Sequence, residues 1–349
     1  CDAMKEVGLP AADVSFFGYA DGSLNSLWDN NWDYDNLHMG RNGNDRSPYP
    51  FSYERRAPYC GRNLEKNLLS AIKRYRPSVI VYPDEEDFHH DHWAANAFVQ
   101  EALLLSRYKG LEYTYLVHRP GFPYPRGYDP SGSLAAPDVL RGIGTTWKSL
   151  VLSGKALEDK DRALREYAIP LRIQDVFVES FVRRNELFGV TREASPARPA
   201  GRPDLSGGKM PCVVARDPWN GSYGPGAGEG ELVKVAFGLG RSRAYMGLET
   251  SGAISLEVDY VFRVRILRRG GIDRYDIRVR NNSATCDMPA NNSRGIRGRI
   301  PVVTAGRRLW VDVPASLFEG GDRCLLSIDA MAGPHRLDRT AYRRISLRR

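Results

Sequence analysis

The apolar periodicity of the chain changes once, between Ala194 and Gly208, where Pro, Ala, Arg, Gly and Ser take over. Upstream, helix and strand signals alternate. Val14 to Tyr19 is a short apolar run, and Asn63 to Tyr75 places Leu64, Leu68, Leu69 and Ile72 at helical spacing. Ser78 to Pro83 is apolar and β-branched along its length, the pattern of a strand buried on both faces of a parallel sheet. A helix is expected from His92, with Ala95, Phe98, Val99, Ala102 and Leu103 on one stripe, then a strand from Tyr113 to His118. Helical period returns over Lys155 to Gly189, including Ala163, Leu164 and Leu187. Strands separated by helices of this length imply βαβ crossovers in a layered α/β sheet. Downstream the period is two, over Leu232–Leu239, Ala244–Thr250, Leu256–Leu267, Arg274–Asn281, Leu309–Val313 and Cys324–Ile328, with Gly and Asn turns between. That predicts an antiparallel sandwich or barrel. The expected organisation is an α/β domain over residues 1–193, a linker over 194–208 and an all-β sandwich over 209–349.

A length of 349 residues suits two domains that bury enough surface to need no disulfides. The five cysteines show no CxxC spacing, and their odd number leaves at least one thiol free or paired elsewhere. No apolar run is long enough to span a membrane. A net charge of +8 admits a polyanion partner, but basic residues are interleaved with acids, as in Glu158-Asp159-Lys160-Asp161-Arg162. A solvated surface is the expectation, with no nucleic-acid partner. Gly224–Gly230 lacks the flanking strand and helix of a phosphate-binding loop. Asn281-Asn-Ser283 and Asn291-Asn-Ser293 match glycosylation acceptors, a short motif common by chance.

Chemistry concentrates in Asp87-Phe-His89-His90-Asp91-His92, which holds three of the six histidines. The string follows the C-terminal end of a buried strand and enters a helix, where open α/β sheets place ligand sites. His89 and His92 are close enough for their imidazoles to converge on one ion or one substrate oxygen, with Asp91 placed to orient a ring nitrogen. A solvated helix cap with Asp91 at the N-cap is the alternative, and a catalytic zinc needs three protein ligands. His118 reads either as a residue of the same rim or as a hydrogen-bonded structural histidine. Trp28 to Asn36, rich in aromatics and carboxylates, suits a sugar ring or a packed turn. Pro120 to Pro137 is long enough for a lid. Trp219, Tyr223, Tyr245, Tyr260 and Trp310 offer either glycan platforms or core aromatics.

In order and spacing these residues resemble the LmbE-like or PIG-L family of zinc-dependent N-deacetylases. The resemblance is carried by Gly8-Leu9 with Val14 to Leu24, by Ile72 through Pro77 to Ala95, by Tyr115 to Gly121, and by Trp147 to Lys155 with Ala163 to Phe188. It covers about residues 1–190 and implies a Rossmann-like catalytic domain. It further implies that His92 is a Zn2+ ligand, that His89 stabilises the oxyanion, that Asp91 supports the pair, and that Asp21 lines the substrate pocket. The implied substrate is an N-acetylated amino sugar or glycoconjugate. The family's other two zinc ligands and its catalytic aspartate come from a His-Pro-Asp-Asp motif. The sequence holds no such string, and Pro83-Asp84-Glu85-Glu86 lacks the histidine. Because that motif should precede the helix ending at Gly8, the expectation is a chain that starts inside its domain, with half a metal site and without the first strand. The rival expectation is a non-catalytic glycan-binding or adhesion protein acting through the C-terminal module.

Overall fold

A computed structural model describes residues 2–142, 144–167, 176–205, 207, 209–217, 230–269, 271–289, 292 and 294–348. Trp219, Tyr223, most of the glycine-rich stretch (224–229), Asn291 and Ser293 lie outside the described residues, as does Cys1. The chain divides into two compact units, one of residues 1–141 and 146–191, the other of 142–145 and 192–349. No helix among the described residues is long and apolar enough to cross a membrane.

The first unit is mixed α/β. Its helices are α1 (Asp2–Glu6), α2 (Leu24–Asp29), α3 (Gly61–Tyr75), α4 (His90–Ser106) and α5 (Gly154–Arg165). Its strands β1 (Val79–Pro83), β2 (Leu111–Tyr115), β3 (Thr145–Val151) and β4 (Asn185–Thr191) form a sheet in the order β1-β2-β4-β3. β1 and β2 run parallel, with Val79 opposite Leu111 and Pro83 opposite Tyr115, and α4 supplies the crossover that a parallel pair requires. α4 begins at His89, whose extended backbone and ring nitrogen cap the first turn, and ends at Arg107, which sits in the left-handed region at φ 53°. Ala94, Ala97, Phe98, Ala102 and Leu103 are buried along it, and α4 packs on α2, α3 and β1.

Two expectations for this unit are corrected, and one left open, the role of Trp28, is decided. β1 is at the edge of the sheet and is not buried on both faces: Tyr82 is covered, whereas Val79 and Val81 are 42% and 47% exposed. Alternate residues of a strand point to opposite faces, so a wholly apolar strand is buried twice only if a second layer lies over it. Among the described residues α4 covers one face. The helical reading of Lys155 to Gly189 holds for α5 and for 176–179 but not for Leu187, which lies in β4, where Asn185, Leu187 and Gly189 are buried and alternate with less buried neighbours. Trp28 is core, 1% exposed and edge-on to Phe98 of α4, so it is not a sugar platform.

The second unit is all-β and antiparallel. β5 (Val213–Arg216), β6 (Leu232–Leu239), β7 (Arg243–Thr250), β8 (Asp259–Arg268), β9 (Gly271–Arg280), β10 (Ser283–Asp287), β11 (Val302–Ala305), β12 (Arg308–Pro314), β13 (Arg323–Ala332), β14 (His335–Arg339) and β15 (Arg343–Ser346) make two sheets. One has the order β10-β9-β8-β13-β14 with β15 also on β13, the other β11-β12-β7-β6-β5. Phe237, Met246 and Val311 from one and Phe262, Ile277 and Ile328 from the other share a single core. Tyr245, Tyr260 and Trp310 are all buried, which answers the question of these aromatics in favour of packing. Gly247 is required by this packing, since a Cβ there would stand 2.7 Å from the Trp310 indole. The stretch expected as a linker is built onto this unit: Ala194 bridges to Ile345 and Ala197 to Gly238, Arg202 pairs with Asp312, and Leu205 packs with Met210 and Trp310. Prolines and glycines mark irregular backbone, and irregular backbone lying along a sheet carries the same composition as a free tether. Among the described cysteines, Cys60, Cys212, Cys286 and Cys324 are free thiols.

Candidate active site

The loop that leaves β1 carries four consecutive acids, Asp84 to Asp87, all buried. Burying carboxylates is costly unless each is satisfied. Asp84 accepts from the Thr114 hydroxyl at 2.5 Å and from the Glu86 amide at 3.0 Å. The buried Arg119 donates to the Glu86 carbonyl at 2.9 Å, lies 3.3 Å from its carboxylate, and covers the Phe88 ring. Asp87 does the most. Oδ1 accepts from the amide of His89 at 2.9 Å, while Oδ2 accepts from the amides of Val117 and His118 at 2.9 and 3.0 Å. One carboxylate thus ties the loop after β1 to the loop after β2, thirty residues away in sequence.

The consequence is a triangle of imidazoles. Ring centroids of His89 and His92 are 4.6 Å apart, those of His89 and His118 5.2 Å, and those of His92 and His118 5.1 Å. Of the two readings of His118, the structure therefore places it beside the helix pair. Its ring also stacks on Phe177 at 5.2 Å.

Hydrogen-bond chemistry assigns the ring protons. His89 Nδ1 accepts from the Asp91 amide at 3.2 Å, so in the neutral ring the proton sits on Nε2 and faces outward as a donor. His92 Nδ1 lies 3.2 Å from Asp87 Oδ1, an approach bent away from a straight hydrogen bond. The carboxylate keeps the proton on Nδ1 and leaves the Nε2 lone pair outward, the arrangement of metal-binding histidines backed by a carboxylate. Burial raises the Asp87 carboxyl, but the His92 ring and the His89 and His118 amides outweigh it and hold the group below its usual value. Burial lowers the His118 pKa, as do the neighbouring His92 and His89, and Asp87 offsets this only in part.

Asp91 does not orient a ring nitrogen; that place is taken by Asp87. Both oxygens of Asp91 are committed to the opposite loop, accepting from the Gly22 amide at 2.7 Å and the Leu24 amide at 2.9 Å. A carboxylate at the start of α2 is favoured by the unpaired N–H groups there. Gly22 adopts φ 70°, which a side chain would strain, and this turn presents Asp21 to solvent. The same loop is held from the other side by Tyr19, whose hydroxyl accepts from Asn63 and Asn67 of α3 at 2.9 and 3.1 Å. Asp21 is therefore carried on a loop fixed at both ends, next to the helix that bears His89 and His92. The segment from Pro120 to Pro137, expected as a lid, is tied down by Arg183, Asn185 and Ser180.

Among the described residues no group of three His, Cys, Asp or Glu side chains is disposed to hold a metal ion. The described residues thus fall short of the three protein ligands that a catalytic zinc takes.

These elements carry a known signature. Residues 2–103 match the family model of PIG-L, GlcNAc-PI de-N-acetylase. The match takes in α1 through most of α4, with Asp21, Asp87, His89, Asp91 and His92, and bears out the family resemblance seen in the sequence. His118 lies beyond the matched segment, as do the strands of the second unit. No curated protein matches the chain. Asp87 was missed as a functional residue although it stands in the same string as the histidines. Its signal was a carboxylate two residues ahead of a helix-capping histidine, the spacing that lets one oxygen reach both the cap amide and a ring in the first turn.

Proposed function

We propose that the first unit hydrolyses an N-acyl group, acetyl in the simplest case, from an amino sugar or its glycoconjugate. The observation that carries this reading is the Asp87-centred triangle of His89, His92 and His118 inside and beside the PIG-L-matched segment. His92 Nε2 would supply one ligand of a zinc ion, which when bound would supply Lewis acidity and a water of lowered pKa. His89, with its proton on Nε2, donates to the acyl oxygen as negative charge builds there. His118, kept neutral by burial beside two other rings, is placed to hydrogen-bond the acylamino group or the departing amine. Asp87 fixes the tautomer of His92 and the position of both loops. Asp91 acts at a distance, by holding the turn that presents Asp21 to a sugar hydroxyl.

The test is acetate release from N-acetylglucosamine conjugates in the presence of zinc, with His89→Ala and His92→Ala compared for turnover and for retained metal. The reading expects His92→Ala to lose metal and turnover together, and His89→Ala to keep metal while turnover falls at least a hundredfold. Wild-type metal content in His92→Ala overturns the ligand assignment. Unchanged turnover in His89→Ala overturns its role at the acyl oxygen.

A further inference from the structure

Four exposed aromatic side chains of the first unit are linked into one surface. Phe51, 62% exposed, stacks on Tyr49 with centroids 5.3 Å apart and meets Phe16 edge-on at 5.7 Å. Next to Phe16, the Ser15 hydroxyl lies 3.2 Å from the Tyr75 hydroxyl, and the Arg74 guanidinium covers the Tyr75 ring at 5.3 Å. Phe16, Tyr49 and Tyr75 are 46%, 42% and 49% exposed. A single exposed aromatic needs no explanation, whereas a connected group marks an interaction surface.

The three segments that carry these rings are pinned to one another from behind. The Tyr53 amide donates to the Phe16 carbonyl at 2.7 Å, Phe16 bridges to Ser52, and the Tyr53 ring meets Phe17 edge-on at 5.1 Å. The Tyr53 hydroxyl lies 3.0 Å from that of Ser70 on α3, the helix that ends at Tyr75. The rings are thus held out by fixed backbone.

Charge on the same segments has one sign. Arg55, Arg56, Lys73, Arg74 and Arg76 are all exposed, and none forms an ion pair with a described residue. Over residues 13–17, 49–56 and 73–76 the carboxylates are Asp13 and Glu54, and Glu54 is taken by Lys66 at 2.9 Å. Aromatic side chains concentrate where a bilayer meets water, and lysines and arginines are drawn to an anionic leaflet.

We propose that this face docks the first unit on the surface of an anionic bilayer, with Phe16 and Phe51 entering the headgroup boundary and the five cations meeting lipid phosphates and carboxylates. The contact is interfacial and needs no spanning helix. A single-stranded nucleic acid also pairs rings with cations, but base stacking needs open ring faces. Here Phe51 already carries Tyr49 on one face and Phe16 at its side, and Tyr75 carries Arg74. The inference is independent of the hydrolase reading.

The experiment is co-sedimentation of the full chain with vesicles of phosphatidylcholine alone and of phosphatidylcholine mixed equally with phosphatidylserine, beside titration with oligodeoxythymidine. The variants are Phe51→Ser and the pair Arg55→Gln with Arg74→Gln. Val151→Ser and Arg141→Gln, an exposed apolar residue and an exposed cation of the same unit, are the controls. The proposal expects the parent to bind the anionic vesicles about tenfold or more tighter than the neutral ones, both variants to lose about tenfold or more, and the controls to match the parent. Absence of binding to anionic vesicles overturns it, as does unchanged binding in Phe51→Ser, which would leave charge attraction without ring insertion. Equal losses in the controls also overturn it. Binding of the oligonucleotide without binding of vesicles overturns it and assigns the face to nucleic acid.

Discussion

Replacing Asp87 by Asn keeps the shape of the side chain and removes its charge. The carboxylate is fully buried and satisfies three backbone amides besides facing His92 Nδ1. The amide has one accepting oxygen. If that oxygen faces Val117 and His118, the NH2 group confronts the His89 amide and the His92 ring; turned over, it confronts the other two amides. Either way about two donors lose their acceptor, at roughly 1–3 kcal/mol for each buried group left unpaired, so the unit should lose about 2–6 kcal/mol. For a unit of this size that is a fall in midpoint of about 4–24 °C. The assay is thermal and urea unfolding of the chain, following the transition assigned to the first unit by hydrogen exchange at α4. The pH dependence has a definite sign. Asp87 is held below its usual carboxylate value in the folded chain, so its contribution is complete above that usual value and disappears as pH falls through the lower, folded one. Asp87→Asn should therefore destabilise at pH 7 and differ progressively less from the parent in acid below pH ~4. A loss under about 0.5 kcal/mol at pH 7, or a difference that grows in acid, would refute the role given to this carboxylate.

Asp91→Ala should free the Gly22–Leu24 turn, costing about 1–3 kcal/mol, and raise KM through a mobile Asp21 while leaving the His92 tautomer unchanged by nitrogen NMR. Tyr19→Phe removes the acceptor shared by Asn63 and Asn67 and should cost about 1–3 kcal/mol, checked by urea unfolding. In the second unit, Asp329 is fully buried against Arg263 at 2.7 Å and Arg339 at 3.3 Å, so Asp329→Ala should destabilise that unit by about 3–5 kcal/mol and leave the first unit's transition in place.

The sequence exposed the histidine cluster because its members sit within one helical turn, where spacing alone implies proximity. It could not expose what gathers His118, because the partners of Asp87 are backbone amides at 117 and 118 and a backbone amide has no residue identity to read. The assignment of Asp91 failed for the same reason: its partners are the amides of Gly22 and Leu24. Val79 and Val81 show the limit of composition, since an apolar strand declares what it can bury and not what lies over it. Leu187 fell between two periods, and only the burial of Asn185 and Gly189 on the same face makes it a strand residue. The all-β half was more legible, because strict alternation and Gly or Asn turns leave few other folds.

The most direct measurement is zinc affinity by competition calorimetry at pH 7 for the parent chain, His92→Ala and Asp87→Asn. The account expects the parent to bind zinc only weakly, through the one donor placed among the described residues, His92→Ala to bind it more weakly still, and Asp87→Asn to lie between the two through the lost second partner of the ring. Equal affinity in all three proteins would contradict it.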